Sequence, residues 1–438
     1  MDNDFDKIMQ ELDYTLKFET YTAESLLYLY KKAYARLTKD FHRYAAYLIA
    51  LKAINIVVGK HEKRLKKTKI ANRPMGLIVD PSNGCILSCP GCVHTLSNNT
   101  FDWPNGILPK ETFDKFLNVY GPYACSAYLY NYGEPFLNPK MPEMIKSAKK
   151  YLLNASISSN LASKNLNCKE IVLSGLDYLI VSLDGVSQDK YSKFRRNGDI
   201  ETVYKNIRSL VSFKKETGSK RPWIAWRYLV FEHNFCEVDK AKEIAASIGV
   251  DELLLSNPWS VSYDDPSIVV KEDYQAERLA FSEWCSHFPD DVSALPMIEE
   301  DKLDFTLFEN IIPTPVKKGK DPLSSACNFL YTSITMDANC RILPCCAPPS
   351  AGVNVVFDTF MDTNYSWNNE TFVDARTNAF SQLGKSERED AGIFESPHCY
   401  KCLSGESVGL FNIQSNGFNY FVQADNDEIR KFANILIT

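Results

Sequence analysis

Between residues 20 and 58 apolar side chains recur every three or four positions. Leu26, Tyr30, Tyr34, Leu37, Phe41, Tyr44, Leu48 and Leu51 fall on one face, which predicts a long amphipathic helix. From Met75 the pattern changes to short apolar runs separated by helix-period stretches. Runs at 76–80, 127–131, 155–159, 178–183, 223–231 and 252–255 read as strands, and 142–152, 202–213 and 238–248 read as helices. Six strands alternating with helices predict right-handed crossovers and a parallel sheet or partial barrel, with its chemistry on the loops at the strands' C-terminal ends. Residues 259–310 do not continue the alternation cleanly. Pro313, Pro315, Gly319 and Pro322 then mark a linker. Three units follow from these changes: a helical extension over 1–73, an α/β unit over 74–310 and a cysteine-rich portion over 311–438.

Composition narrows the picture. With 45% hydrophobic and 24% charged residues the chain has ample material for a core. Its net charge of −6 argues against a dedicated nucleic-acid binder, since those are usually basic. The basic run Lys60, Lys63, Arg64, Lys66, Lys67 and Lys69 reads more readily as a solvated helix end than as a docking site for an anionic partner or membrane surface. The most apolar stretch, 45–59, is interrupted by Lys52 and is too short for a membrane span of ~20 residues. An acidic opening, Met1-Asp2-Asn3-Asp4, lacks the positive region of a signal peptide, so a cytoplasmic location is expected. Thirteen cysteines, an odd number and tightly clustered, point to metal ligation rather than to a disulfide framework.

Just past the first predicted strand, Cys85, Cys89 and Cys92 form a C-x3-C-x2-C run. Three thiolates so close in sequence can hold one side of an iron–sulfur cube, which normally takes four, and the missing fourth leaves one iron open. A zinc site with His94 as a fourth ligand is the alternative. This spacing after a first strand resembles the signature of the radical SAM superfamily, and the resemblance covers residues 74–258. It implies a partial (β/α)6 barrel and a 4Fe-4S cluster that binds S-adenosylmethionine (SAM) at its open iron and cleaves it to a 5′-deoxyadenosyl radical. Gly91 stands where many members carry an aromatic residue.

Further strand ends carry the same resemblance. Asn131-Tyr132-Gly133-Glu134-Pro135 resembles the GGEP motif, which implies SAM contacts at Gly133, Glu134 and Pro135. Ser158 and Asn160 stand where ribose contacts are common. Ser182-Leu183-Asp184-Gly185, followed by Tyr191 and Arg195, resembles an "SLDG…YxxxR" stretch, which implies cofactor contacts at Ser182 and Asp184 and a carboxylate-gripping guanidinium at Arg195. The fifth strand departs from the family's glycine-rich adenine motif: Trp226-Arg227-Tyr228-Leu229 stands there. His233 and Cys236, on the loop beyond, are candidate acid, base or hydrogen donor, though packed or capping roles are the commoner fate of such residues.

The segment 336–346 resembles the hairpin of SPASM and twitch domains, which carry auxiliary clusters, with Cys340 in a usual glycine position. Four cysteines, Cys327, Cys345, Cys399 and Cys402, then form the expected ligand set of one auxiliary iron–sulfur cluster of the 4Fe-4S type. Cys340 and Cys346 are expected to be free thiols, and a zinc knuckle is the alternative. The resemblance implies an oxidoreductase or isomerase fed by a flavodoxin- or ferredoxin-type electron donor. The mostly helical residues 1–70 lack the β-ribbon of a leader-binding module. That favours a small-molecule or glycan substrate over a ribosomal peptide, with a non-catalytic iron–sulfur or zinc protein as the competing class.

Overall fold

The computed structural model describes residues 43–64, 67–95, 104–258, 263, 265–283, 329–343, 345, 358–360 and 367–379. Six parallel strands, β1 (Gly76–Val79), β2 (Ser126–Tyr128), β3 (Asn154–Ser159), β4 (Tyr178–Ser182), β5 (Trp223–Leu229) and β6 (Glu252–Ser256), form one sheet in chain order. Their runs, such as Gly76-Leu77-Ile78-Val79 and Tyr178-Leu179-Ile180-Val181, are buried on both faces, as expected of parallel strands covered on each side. These are the six strands the apolar runs predict, with β2 and β5 ending earlier than 131 and 231. At the far edge β7 (Glu277–Ala280) pairs antiparallel with β6.

Helices α2 (Lys110–Tyr120), α3 (Met141–Lys149), α4 (Cys168–Leu173), α5 (Gln188–Phe194), α6 (Ile200–Thr217) and α7 (Val238–Ile248) fill the crossovers. Each buries one stripe: Phe113, Phe116, Leu117 and Tyr120 of α2 stand at helical spacing against the sheet. Asp199 caps α6 by accepting from the Glu201 N–H at 3.3 Å, and the helix stops at Gly218, whose φ of +66° is left-handed. The main core lies between these helices and one face of the sheet. The opposite face carries a smaller cluster of Ile78, Tyr128, Tyr178, Ile180, Trp223, Ala225 and Leu254.

Helix α1 (Arg43–Arg64) is the described part of the N-terminal helix; residues 20–42 lie outside the described ones. Leu48 and Leu51 of the predicted apolar face are buried, and the polar Lys52, Asn55 and Glu62, which share that face, are buried with them. The Lys52 ammonium donates to the Gly121 carbonyl at 3.2 Å and to that of Ala124, and burial lowers its pKa to about 8. Lys67 of the basic run pairs with Glu62 at 3.6 Å.

After the short helix α8 (Phe329–Thr332), β8 (Ser333–Met336) pairs parallel with β1, and β9 (Arg341–Leu343) returns antiparallel to it. The two-residue strand β10 (Asp358–Thr359) follows on β9, and α9 (Glu370–Ala379) comes last. The cysteine-bearing hairpin therefore extends the main sheet beside the first strand. Its turn closes with the Cys340 N–H donating to the Asp337 carbonyl at 3.0 Å, and Cys340 takes a φ of +63°. A type I turn followed by a left-handed residue is a standard three-residue hairpin loop, and it places glycine at that last position. Relief of left-handed strain, about 1–2 kcal/mol, outweighs the roughly 1 kcal/mol of entropy that glycine brings. Cys340→Gly should therefore raise the melting temperature slightly without changing iron content. A fall in either would contradict the free-thiol assignment.

Candidate functional site

The three cysteines lie on the loop that leaves β1, at the C-terminal end of the parallel strands. Pro90-Gly91 is why the loop can fold back on itself. The Cys92 N–H donates to the Cys89 carbonyl at 3.2 Å across this pair, and Gly91 takes φ +75°. That is a type II turn with proline second and glycine third. Gly91, which departs from the aromatic residue of the resemblance, is thus required by the backbone. The Thr95 hydroxyl bonds the carbonyls of Cys89 and Cys92 at 2.6 and 3.0 Å and secures the turn.

The sequence-predicted strand-end residues converge on this loop. Gly133 packs so tightly on it that a Cβ would fall 1.6 Å from the Ser82 carbonyl oxygen. The Glu134 N–H donates to the Gly84 carbonyl at 2.8 Å. The buried Glu134 carboxylate accepts from the Ser159 hydroxyl at 2.7 Å and from the Asn160 N–H at 2.9 Å, tying the ends of β2 and β3 together. Pro135 opens a single 3-10 turn capped by the same carboxylate. The Asn160 amide reaches the Cys85 sulfur at 3.6 Å. Asp184, fully buried beyond β4, pairs with the Arg195 Nε at 2.5 Å and accepts from the Leu229 N–H at 2.6 Å. Arg195 Nη1 lies 3.7 Å from the Cys89 sulfur. Ser158 and Ser182 face the Arg227 guanidinium, whose Nη2 stands 3.3 and 3.0 Å from their hydroxyls.

The His94 ring donates to the Tyr132 carbonyl, and burial keeps its pKa below the ordinary value. Half-buried His233 stacks on Phe231 with ring centroids 5.4 Å apart, while Cys236 is exposed on the 3-10 turn before α7. In the auxiliary set, Cys345 is buried just past β9, whereas Cys327, Cys399 and Cys402 lie outside the described residues, as does Cys346.

Burial pushes the thiol of Cys85 up to about 12 and those of Cys89 and Cys92 upward as well, opposed at Cys89 by the nearby Arg195 charge. Such thiols become thiolates on metallation, with loss of protons. Among the described residues no three His, Cys, Asp or Glu side chains gather as ligands of one ion. A cube asks for less convergence, since each cysteine takes a different iron. Three cysteines within electrostatic reach of one another, a cationic guanidinium beside one and an amide donor beside another, suit that donor set.

Asp80, at the end of β1, carried no expectation from the sequence. Its Oδ1 accepts from the Asn131 and Tyr132 N–H groups at 2.8 and 3.1 Å and so fixes the GGEP-like turn. Burial raises its pKa from 3.8 to about 7 against these amides, and nearby Asp337 adds to the rise. A carboxyl raised on folding favours the fold while protonated. Its contribution is complete below about pH 4 and is lost as pH climbs to about 7. Wild-type stability should therefore fall across that window by an amount on the order of 4 kcal/mol from this group, at 1.36 kcal/mol per pKa unit. In Asp80→Asn this component should vanish, as urea titrations at several pH values would read. An unchanged slope would contradict it.

No family model matches the chain. A curated relative, the tungsten-containing aldehyde ferredoxin oxidoreductase cofactor-modifying protein of Pyrococcus furiosus, is 24% identical over 185 residues, 41% of this chain. The chain spans about half the length of that relative, 51%. Among solved structures, Streptococcus suis SuiB bound to S-adenosylmethionine aligns at 15% identity over 74% of this chain and 72% of its own, with a TM-score of 0.49. Native anSMEcpe with bound AdoMet aligns at 13% identity over 76% and 88%, with a TM-score of 0.42. Structural likenesses this remote carry no argument to function.

Proposed function

We propose that this chain is a radical SAM enzyme built on a partial barrel, which cleaves SAM to a 5′-deoxyadenosyl radical that abstracts hydrogen from a substrate. One observation carries the reading: the loop of Cys85, Cys89 and Cys92 is stapled to the ends of β1–β4 by Gly133, Glu134, Asn160 and Arg195, the positions that the motifs name. Cys85, Cys89 and Cys92 would hold a 4Fe-4S cluster, which supplies when bound the electron for SAM cleavage and an open iron for its amino and carboxylate groups. This chain's own part is positioning. Glu134 locks two strand ends, Arg195 offsets thiolate charge at Cys89, and the strand-end backbone at Gly133 comes close enough to serve as a hydrogen-bonding platform. An auxiliary cluster on Cys327, Cys345, Cys399 and Cys402 would relay electrons, since full cysteine ligation leaves no open iron.

A small-molecule or glycan substrate and an oxidoreductase or isomerase outcome complete the proposal. A relative named for modifying a cofactor is in keeping with a small-molecule substrate. No helix among the described residues is long and apolar enough to cross a membrane. The test is spectroscopic. Anaerobically reconstituted, reduced protein should show a cubane electron paramagnetic resonance signal that changes on addition of SAM. A signal indifferent to SAM would leave the competing class, a non-catalytic iron–sulfur protein, as the better account.

A further inference from the structure

Among the described residues most of the other buried charges are paired. Asp177 pairs with Lys149 at 2.5 Å and Arg221 at 2.9 Å, Asp251 with Lys214 at 2.6 Å, Glu252 with Arg278 at 2.6 Å and Asp337 with Arg341 at 2.6 Å. Arg376, buried without a carboxylate, gives its N–H groups to the carbonyls of Leu330, Thr68 and Trp367 and to the Asn368 side chain. Arg227 differs. Among the described residues its guanidinium touches only the hydroxyls of Ser158 and Ser182, and its Nε, though shielded from solvent, has no partner. Leaving a cation so placed costs free energy unless something else compensates it.

Its position says where that compensation would come from. Arg227 sits on β5 directly opposite Ser182 of β4, on the face of the sheet that Trp223 and Ala225 share, and not on the helix-covered face. On this face the hydroxyls of Ser156 on β3 and Thr335 on β8 are also buried without partners. Among the described residues this face of the sheet therefore carries several buried polar atoms without a protein partner. The neighbouring carboxylate, Asp184, is already held by Arg195 and the Leu229 N–H. Two guanidinia thus share one carboxylate, and burial next to the Arg195 charge holds the Arg227 pKa below its usual value.

We propose that Arg227, with Ser158 and Ser182, forms an oxyanion subsite for the substrate, which takes these two serines from the cofactor contacts that the resemblance implies, so that the molecule acted on carries a carboxylate or phosphate group. The inference rests on the radical SAM reading for what occupies the rest of the site. SAM has one carboxylate, which the resemblance gives to Arg195, so a second guanidinium in the same interior calls for an anion on the other reactant. Each hydroxyl already facing Nη2 can donate its own hydrogen to the oxyanion, and the guanidinium supplies charge-assisted bonds.

The test uses full-length reconstituted protein and three probes: inorganic phosphate, acetate and SAM. Phosphate or acetate should raise the wild-type melting temperature, and the more effective of the two names the group. Arg227→Gln should weaken that response by about tenfold or more, as loss of a buried charge partner does, and Arg227→Lys should recover part of it. Both variants should bind SAM as the wild type does and form 5′-deoxyadenosine from it without substrate. With no anion bound, Arg227→Gln should also be as stable as the wild type or more so, because an uncompensated cation has been removed. An anion response unchanged in Arg227→Gln would overturn the proposal. So would a matching loss of SAM affinity, which would give Arg227 to the methionyl carboxylate instead. An anion response abolished by Arg227→Gln in a protein that never forms 5′-deoxyadenosine would support the subsite and count against the radical SAM reading alone.

Discussion

Alanine in place of Cys85, Cys89 or Cys92 is expected to end 5′-deoxyadenosine formation and to remove about four of about eight irons from reconstituted protein. In the proposed cluster each thiol would hold a different iron, so no one of them is dispensable. Their surroundings make substitution by other donors ineffective. Cys89 is buried against Arg195, Cys85 meets the Asn160 amide, and the Pro90-Gly91 turn fixes the distance from Cys89 to Cys92. The fold should survive these changes, because the loop hangs on backbone bonds from Ser88 to Arg196 and from Glu134 to Gly84 that no cysteine side chain makes. Iron analysis with circular dichroism separates loss of the cluster from loss of structure. Unchanged iron in any of the three variants would contradict the ligand assignment.

Gly133→Ala should be the most damaging glycine-to-alanine change among the described residues. The added Cβ would lie 1.6 Å from the Ser82 carbonyl oxygen and 3.1 Å from the Asn83 Cα, both backbone atoms. Neither can swing aside as a flexible side chain would. The Ser82–Asn83 segment is further held by the Asn83 N–H bonding the Gly106 carbonyl at 3.0 Å and by the Ala338 N–H bonding Asn83 Oδ1 at 3.1 Å. We expect a loss of about 3 kcal/mol or more in chemical denaturation, at the upper end for overpacking, together with weaker SAM binding. Stability and SAM affinity both at wild-type levels would mean that the loop is not seated on Gly133 in solution.

The six parallel strands were legible because strands covered on both faces read as unbroken apolar runs, and Tyr178-Leu179-Ile180-Val181 is such a run. The cysteine loop and the strand-end motifs were legible because their spacing is local. What the sequence concealed depends on partners far along the chain. Lys52, which interrupts an apolar stretch of the sequence, is buried on two carbonyls about seventy residues away, and no local pattern announces such partners. Asp80 looked like the last residue of a strand, and only the approach of 131–132 turns it into a clamp. Arg227 appeared as a departure from a glycine-rich motif. Its meaning comes from register, since pairing with Ser182 sets which face of the sheet the guanidinium shares. The hairpin at β8–β9 was legible as a hairpin, but its pairing beside β1 was not, because no short-range pattern encodes which edge a strand joins.

The central claim is that this chain splits SAM at a three-cysteine cluster, and it is tested most directly by product analysis. Anaerobically reconstituted protein is incubated with SAM and a strong reductant, and 5′-deoxyadenosine is quantified by mass spectrometry. The wild type should form it and the Cys85→Ala/Cys89→Ala/Cys92→Ala protein should not. A wild-type protein carrying its full iron complement yet forming none, or a triple variant that still forms it, would contradict the account.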